Sequence, residues 1–528
     1  MDIRLISLKK QLIFLLVPDL IFTLFALVSG NYLGMLLVNA MTGIVAAVLF
    51  YARKRVPTKI DQQLVSLLMH MYAVSLGQVG PDDLVQIVAE TEDYGYYSKV
   101  FSKIREIGKE YGYGVTKATS EMAKLTKPPF RDVLIRCQQA FASIQPRGYL
   151  ELEASTIIEE YAGYYERAIK SIELLGGVYS TFSSVSIFIV MILDILVVFT
   201  NDINMVYVGY FVSATCLIML YVGFKTVVPK DILVHIDKEM PPKSYNQFKL
   251  TLPIAFACIV PSILMGMAFS PPYAFLMCGI AFLIPGLFAY RLETLVLKVD
   301  ENYPTLIKGL GESMASSSSL ENALFYVLYL ELGRLKNLVK RAFARVKIGS
   351  TNAKALTLLS AEAASHNVYT SNKIFLDAFS RGADLLAVGK ILGSHCVRNL
   401  QIRKKREAIA KSLVTVTFLL QPITVVLLTV LTHLTTYFSQ MLTAVPYFTF
   451  GQIPLDVIFA GNIFMIVLVT LLNSFTLKDA RGGFWGTSLL YISILLILSG
   501  GAWLGAEMLM SVAFGGAFGG VEGILGAV

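Results

Sequence analysis

The sequence predicts an all-α polytopic membrane protein: about nine transmembrane helices and two cytoplasmic helical bundles related by internal duplication. Three observations lead there. Of the 528 residues, 55% are hydrophobic and only 16% are charged, against about a quarter charged in soluble domains. The 45 Lys and Arg residues avoid five long stretches: 11–52, 171–224, 250–290, 412–477 and 482–528. Neither of the two large segments between them has an alternating apolar run long enough for a strand. This composition excludes a soluble single domain, a disordered chain and a disulfide scaffold.

A lipid core needs about 20 apolar residues per helix. The cation-free stretches accommodate spans near 12–29, 33–52, 177–199, 205–227, 250–269, 272–290, 413–434, 455–475 and 484–506. Prolines 253, 261, 285 and 422 fall in these spans and predict bends. The N-terminal apolar run leads straight into a second one, with no convincing cleavage site near Val28–Asn31. It therefore reads as an uncleaved first helix.

With nine spans, every cation falls on one side. The N-terminus carries 3, segment 53–170 carries 16, 225–249 carries 5, 291–411 carries 19 and 478–481 carries 2. By the positive-inside rule the N-terminus and both large domains are cytoplasmic and the C-terminus is outside. The expected organisation is a transmembrane hairpin (1–52), a first cytoplasmic domain (53–176), four spans (177–290) with a short cytoplasmic loop at 228–249, a second, basic cytoplasmic domain (291–411), three spans (412–510) and a Gly-rich extracytoplasmic tail (511–528).

Within the first domain, Ile60, Leu64, Leu67, Leu68, Met71 and Val74 follow helical spacing, as do Val100, Ile104 and Ile107, and Phe130, Val133, Leu134, Cys137, Phe141 and Ile144. Gly80-Pro81-Asp82-Asp83 reads as a helix start, with proline in the first turn and carboxylates at the positive end of the dipole. Pro128-Pro129 starts another helix, and Ser318-Ser319-Leu320-Glu321 fits a capping box. The two domains share an order of features. Gly80–Asp83 corresponds to Ser318–Glu321, Lys99–Lys103 to Asn337–Arg341, and Arg147-Gly148-Tyr149-Leu150 to Arg381-Gly382-Ala383-Asp384. An internal duplication follows.

The chemistry is sparse. No GxxxxGK[ST], HExxH or Gly-x-Ser-x-Gly occurs, so no catalytic, cofactor-binding or metal-binding residues are assigned. The five cysteines lack any pairing pattern and read as free thiols. Segment 291–411 sets 19 cations against 10 carboxylates, about +9, whereas 53–170 is near neutral, 16 against 15. Lys336, Lys340, Arg341, Arg345 and Lys347 share a broad helix face, and Lys99, Lys103, Arg105 and Lys109 form a weaker one. Arg398 and the run Arg403-Lys404-Lys405-Arg406 precede the seventh span. They read either as a lipid-side anchor or as part of a docking surface. Asp19 and Asp194 lie inside spans, where an ionised carboxylate costs about 2.5–3.5 kcal/mol. A structural contact between helices, a contact to an incoming transmembrane helix and a proton site all fit them. The 435–454 loop, with Tyr437, Phe438, Tyr447, Phe448 and Phe450, reads as an interfacial aromatic belt.

On the duplicated motifs and this topology, the chain resembles the platform proteins of type IV filament machines, the GspF/PilC/TadC group. It is most similar to the archaeal version, in the archaellum and archaeal type IV pili. The resemblance implies a non-enzymatic membrane core. A hexameric secretion ATPase would dock on its cytoplasmic face, and pilin- or archaellin-like subunits would be extracted from the membrane beside it. The basic faces and the run at 403–406 become docking candidates, and short connections such as Arg53–Pro57 and Arg406–Lys411 would transmit motion to the spans. The expected partners are that ATPase, the filament subunits, membrane lipid and a second copy of the chain, with no nucleic acid. A secondary transporter with an internal repeat is the alternative reading.

Overall fold

The computed structural model describes residues 59–110, 112–143, 145–200, 203–237, 240–317, 319–444 and 455–518. The expected spans 12–29 and 33–52, Asp19, the connection Arg53–Pro57 and residues 445–454 of the expected 435–454 loop lie outside them, whereas 435–444 is helical. The described residues form helices joined by short turns, with one isolated bridge between Val234 and Ser365.

The first helical domain opens with α1 (Gln62–Ser75), α2 (Pro81–Glu90), α3 (Tyr96–Glu110), α4 (Gly114–Leu125) and α5 (Phe130–Ala142). Local chemistry fixes these starts. The Asp61 carboxylate accepts from the Leu64 N–H at 2.9 Å and caps α1. Asp83 accepts from the Gly80 N–H at 3.3 Å, and Pro81 occupies the first turn of α2. Then α6 (Pro146–Thr200) runs for 55 residues. At 1.5 Å per residue it is about 80 Å long. It leaves the first domain and continues into the apolar bundle.

The bundle adds α7 (Ile203–Val227), α8 (Lys243–Ala257), α9 (Ile259–Ala268) and α10 (Pro271–Ser317). The span expected at 250–269 is two helices that meet at Cys258, between Pro253 and Pro261. Each proline removes a backbone donor and crowds the preceding turn, and together they divide the span. Helix α10, 47 residues long, carries Pro285 and Pro304 without a break and enters the second helical domain. That domain continues with α11 (Leu320–Val327), α12 (Leu335–Lys347), α13 (Asn352–Ala363) and α14 (His366–Ser380). Helix α15 (Leu385–Ala444), 60 residues, returns to the bundle, which ends with α16 (Leu455–Arg481) and α17 (Thr487–Phe518).

Among the described residues, seven helical segments are long and apolar enough to cross a membrane, α8 and α9 together forming one of them, and they overlap the last seven expected spans. The protein is an all-helical membrane protein. Several local expectations are corrected. Ser319 precedes α11 but makes no side-chain capping bond. Arg147 and Gly148 already belong to the first turn of α6, whereas Arg381-Gly382 is a true turn, with Gly382 at φ 67. The tail expected from 511 is helical as far as Phe518. Arg406–Lys411 is no connection; it lies within α15. Helices α6, α10 and α15 run across positions 176, 290 and 411. The five cysteines are free.

Two apolar cores fill the helical domains, and α1 belongs to both. Leu64, Leu67, Leu68 and Met71 face the core of α2–α6. Val65, Met69 and Ala73 face the core of α10–α15, with Tyr161 and Tyr165 of α6. A helix apolar on every side is a buried helix, and α1 fuses the two domains. Polar groups lock this interface. His70, fully buried, places Nδ1 3.0 Å from the Tyr94 hydroxyl and Nε2 3.1 Å from Asp377 of α14. Asp93 accepts from Tyr369 at 2.8 Å and Lys373 at 3.1 Å, both on α14.

Burial holds the His70 pKa below its ordinary 6.5, against the opposing pull of Asp377. Burial likewise pushes His366 down to about 4. A depressed folded-state pKa means that the unfolded chain binds protons first as pH falls. The stabilisation is therefore complete above pH 6.5 and is lost progressively below it. The expected result is a melting temperature that drops between neutral pH and about pH 5. His70→Gln should flatten that drop in thermal scans of the detergent-solubilised protein. An unchanged pH profile would count against the interface as drawn.

Candidate functional site

Where the bundle meets the helical domains, five segments converge on two arginines of α15. Arg403 places Nη1 3.0 Å from Asp300 Oδ2 on α10 and Nε 3.6 Å from Asp231, in the segment after α7. Arg406 is 3% exposed. Its guanidinium donates to the Asp479 carbonyl at 2.7 Å, the Ala480 carbonyl at 2.8 Å and the Tyr165 hydroxyl at 2.8 Å. Tyr165 of α6 in turn donates to Asp231 at 2.6 Å. Burial by itself would raise the Asp231 pKa, but the Arg403 and Arg406 guanidiniums outweigh it and hold it below the usual carboxylate value. Asp300 also accepts from the Ser365 hydroxyl and from Asn367 Nδ2 at the start of α14. Backbone bonds from His235 to Ala364 and from His366 to Leu233 tie the 231–237 segment to the same corner.

A second ion pair flanks the first. Arg481 of α16 lies 3.4 Å from Glu293 of α10, and the Phe484 N–H donates to Glu293 at 3.2 Å. The turn that makes this possible is Gly482-Gly483, at φ 77 and 87. A Cβ on Gly483 would lie 2.7 Å from the Glu293 carboxylate. Between the two ion pairs is a cavity of about 70 Å³ lined by Asp231, Glu293, Arg403, Glu407 and Arg481.

This geometry separates the basic candidates. Arg403 and Arg406 point inward and are tied down, so neither is available as a lipid-side anchor or a docking contact. Their neighbours face out and pair locally: Lys404 with Glu301 at 3.4 Å, Lys405 with Glu166 at 2.7 Å, and Arg398 with Glu159 at 3.4 Å. On α12, Arg341 and Arg345 both pair with Glu362 of α13. Lys336, Lys340 and Lys347 are exposed on that helix and carry no ion pair among the described residues. On α3, Arg105 lies 3.5 Å from Glu90, while Lys99, Lys103 and Lys109 are exposed. Of the candidate cations of the second domain, the three lysines of α12 are thus the ones that carry no ion pair among the described residues.

In the bundle, Asp194 of α6 is 1% exposed. Its partner is the Tyr210 hydroxyl of α7, 3.0 Å away, which also lies 2.7 Å from Asn462 Oδ1 of α16. A second polar group joins Gln421 of α15 to Thr470 at 2.8 Å and to Asn473 at 2.6 Å, both on α16. The described residues contain no cluster of His, Cys, Asp or Glu able to hold a metal. The hub at Arg403 and Arg406 escaped sequence reading because its acidic partners lie 103 positions and more away. The only local signal was the i, i+3 spacing of the two arginines, which puts them on one helix face.

No protein-family model and no solved structure matches the chain. It is similar to two curated proteins, both called flagella accessory protein J. It is 24% identical to that of Methanocaldococcus jannaschii over 408 residues, 72% of this chain and 71% of the relative. It is 22% identical to that of Methanococcus voltae over 369 residues, 66% of each. These homologues bear out the resemblance to the archaellar platform membrane proteins of the GspF/PilC type.

Proposed function

We propose that this chain is the integral membrane platform of an archaeal type IV filament machine, an archaellum or a pilus. In this reading it couples a cytoplasmic secretion ATPase to the extraction and polymerisation of pilin-like subunits. The carrying observation is the continuity of α6, α10 and α15, each a single helix from a helical domain into the apolar bundle. A packed helix transmits displacement along its length because its interior neighbours have no room to yield. The likeness to flagella accessory proteins supports the same reading.

Internal duplication belongs to this proposal. Helices α2, α3 and α6 start at Pro81, Tyr96 and Pro146, and α11, α12 and α15 start at Leu320, Leu335 and Leu385. Each pair of starts is 239 positions apart, the same separation as in the ion pairs Glu159–Arg398 and Glu166–Lys405 between α6 and α15. The proposed topology keeps the N-terminus and both helical domains cytoplasmic, as the one-sided cations require. The exposed lysines of α12 are the proposed contact for an acidic ATPase surface.

The test is a pull-down of the secretion ATPase with the full-length protein. Lys336→Glu combined with Lys340→Glu is expected to weaken capture about tenfold, mainly through association rate. Wild-type capture should itself weaken as salt rises. Equal capture by wild type and the double variant at low salt would remove α12 from the docking surface. Failure of any ATPase to bind would count against the platform reading as a whole.

A further inference from the structure

The carboxyl of Asp194 sits in a chain of polar groups that its hydrogen count makes directional. The Tyr210 hydroxyl lies 3.0 Å from Asp194 Oδ2 and 2.7 Å from Asn462 Oδ1. Asn462 Nδ2 donates to Thr432 Oγ1 at 2.9 Å, and Thr432 donates to the Leu428 carbonyl at 2.8 Å. A phenol has one proton, while a carboxylate and an amide oxygen both only accept. With Asp194 ionised, Tyr210 satisfies one of them and leaves the other facing a bare oxygen lone pair. With Asp194 protonated, every link closes. Asp194 donates to Tyr210, Tyr210 to Asn462, Asn462 to Thr432, and Thr432 to Leu428.

We propose that Asp194 is a proton-binding site, occupied in this arrangement, whose one proton sets the direction of the whole chain from α6 through α7 and α16 to α15. Loss of that proton to water reverses the chain. Tyr210 then donates to the carboxylate. The Asn462 amide turns over so that Nδ2 donates to the Tyr210 oxygen, and Thr432 leaves Leu428 to donate to Asn462 Oδ1. The amide nitrogen and oxygen exchange places, the hydroxyls reorient, and one proton leaves. The site is built for this. Gly461 of α16 clears the ring, since a Cβ there would lie 2.5 Å from Tyr210 Cε2. Tyr210 is the titratable group bonded to Asp194, and no charged side chain among the described residues of α7, α15 or α16 pairs with it. Burying an ionised carboxylate among these helices with no cation beside it is the costly alternative. The inference goes beyond the platform reading and does not depend on it.

Infrared difference spectra of the full-length protein in lipid nanodiscs, taken between neutral and alkaline pH, test it. Wild type should show a carboxylic-acid C=O band at neutral pH that Asp194→Asn abolishes. Asparagine keeps a donor toward Tyr210, so this variant holds the chain in the protonated direction. Absence of any carboxylic-acid C=O band that depends on Asp194, in the absolute and the difference spectra, would overturn the proposal. Should that variant fail to accumulate, Tyr210→Phe decides. A shifted carboxylic band, from the lost acceptor, supports the site, and an unshifted spectrum overturns it.

Discussion

Replacing Arg406 by alanine is expected to destabilise the protein by about 3–5 kcal/mol, the usual cost of stripping one partner from a buried ion pair. Four acceptors lose their donor at once: the carbonyls of Pro229, Asp479 and Ala480, and the Tyr165 hydroxyl, which donates to Asp231. Asp231 loses the Arg406 guanidinium at 3.7 Å and keeps that of Arg403 at 3.6 Å. Lysine is not a rescue, because one ammonium cannot reproduce a planar fork that reaches α6 and α16 together. Arg406→Lys should therefore lose most of the same stability. Thermal melts of the solubilised protein read both changes. Adding Asp231→Asn to Arg406→Ala should recover part of the loss, the coupling expected of two members of one network. Wild-type melting temperatures in both single variants would show that the hub does not hold the junction.

The second large effect is expected at the crossing of α10 and α15. A Cβ on Gly311 would lie 2.5 Å from the Leu385 carbonyl oxygen and 3.0 Å from Gly389 Cα. A Cβ on Gly389 would lie 2.9 Å from the Ile307 carbonyl oxygen. The opposing atoms are backbone on both sides, so no side chain can swing away. Gly311→Val must push apart two helices that each continue into the bundle. Overpacking costs about 1–3 kcal/mol where neighbours can adjust, and more where they cannot. We expect Gly311→Val to exceed that range and to lower the yield of folded protein in size-exclusion profiles. Gly148→Ala is the matched control, because nothing lies within 4 Å of a Cβ there. Equal profiles for the two variants would contradict the crossing.

Much of this architecture is written locally. A helix needs a periodic apolar face and a start signal, and Gly80–Asp83 and Pro128-Pro129 supply theirs without help from distant residues. The last seven spans were legible because charge is costly in lipid, so the cations mark the ends of the apolar stretches. Periodicity was less informative where a helix is buried on every side. The stripe of Leu64, Leu67, Leu68 and Met71 stands out, while Val65, Met69 and Ala73 beside it look like ordinary apolar filler. Only the arrangement of two cores around α1 shows that both faces are used.

The site divides in the same way. From the sequence, Arg403, Lys404, Lys405 and Arg406 form one basic run, equally fit for lipid or for a partner. A helix turns 100° per residue, so adjacent cations point in different directions. Which direction is inward depends on where Asp231, Asp300 and Asp479 arrive, and each comes from a different segment. Asp194 was visible as a carboxyl inside a span, but its partner Tyr210 is held in turn by Asn462 of α16, far along the chain.

The sequence by itself determined the helical class, the apolar stretches and the confinement of positive charge to one set of segments. These follow from the one-dimensional distribution of residues between water and lipid. The tertiary structure alone decided that α6, α10 and α15 run unbroken through the expected domain boundaries, and that α1 joins both cores. It also decided which of four neighbouring cations are buried. Those outcomes depend on close packing and ion pairing between residues distant in the chain, which no local window contains.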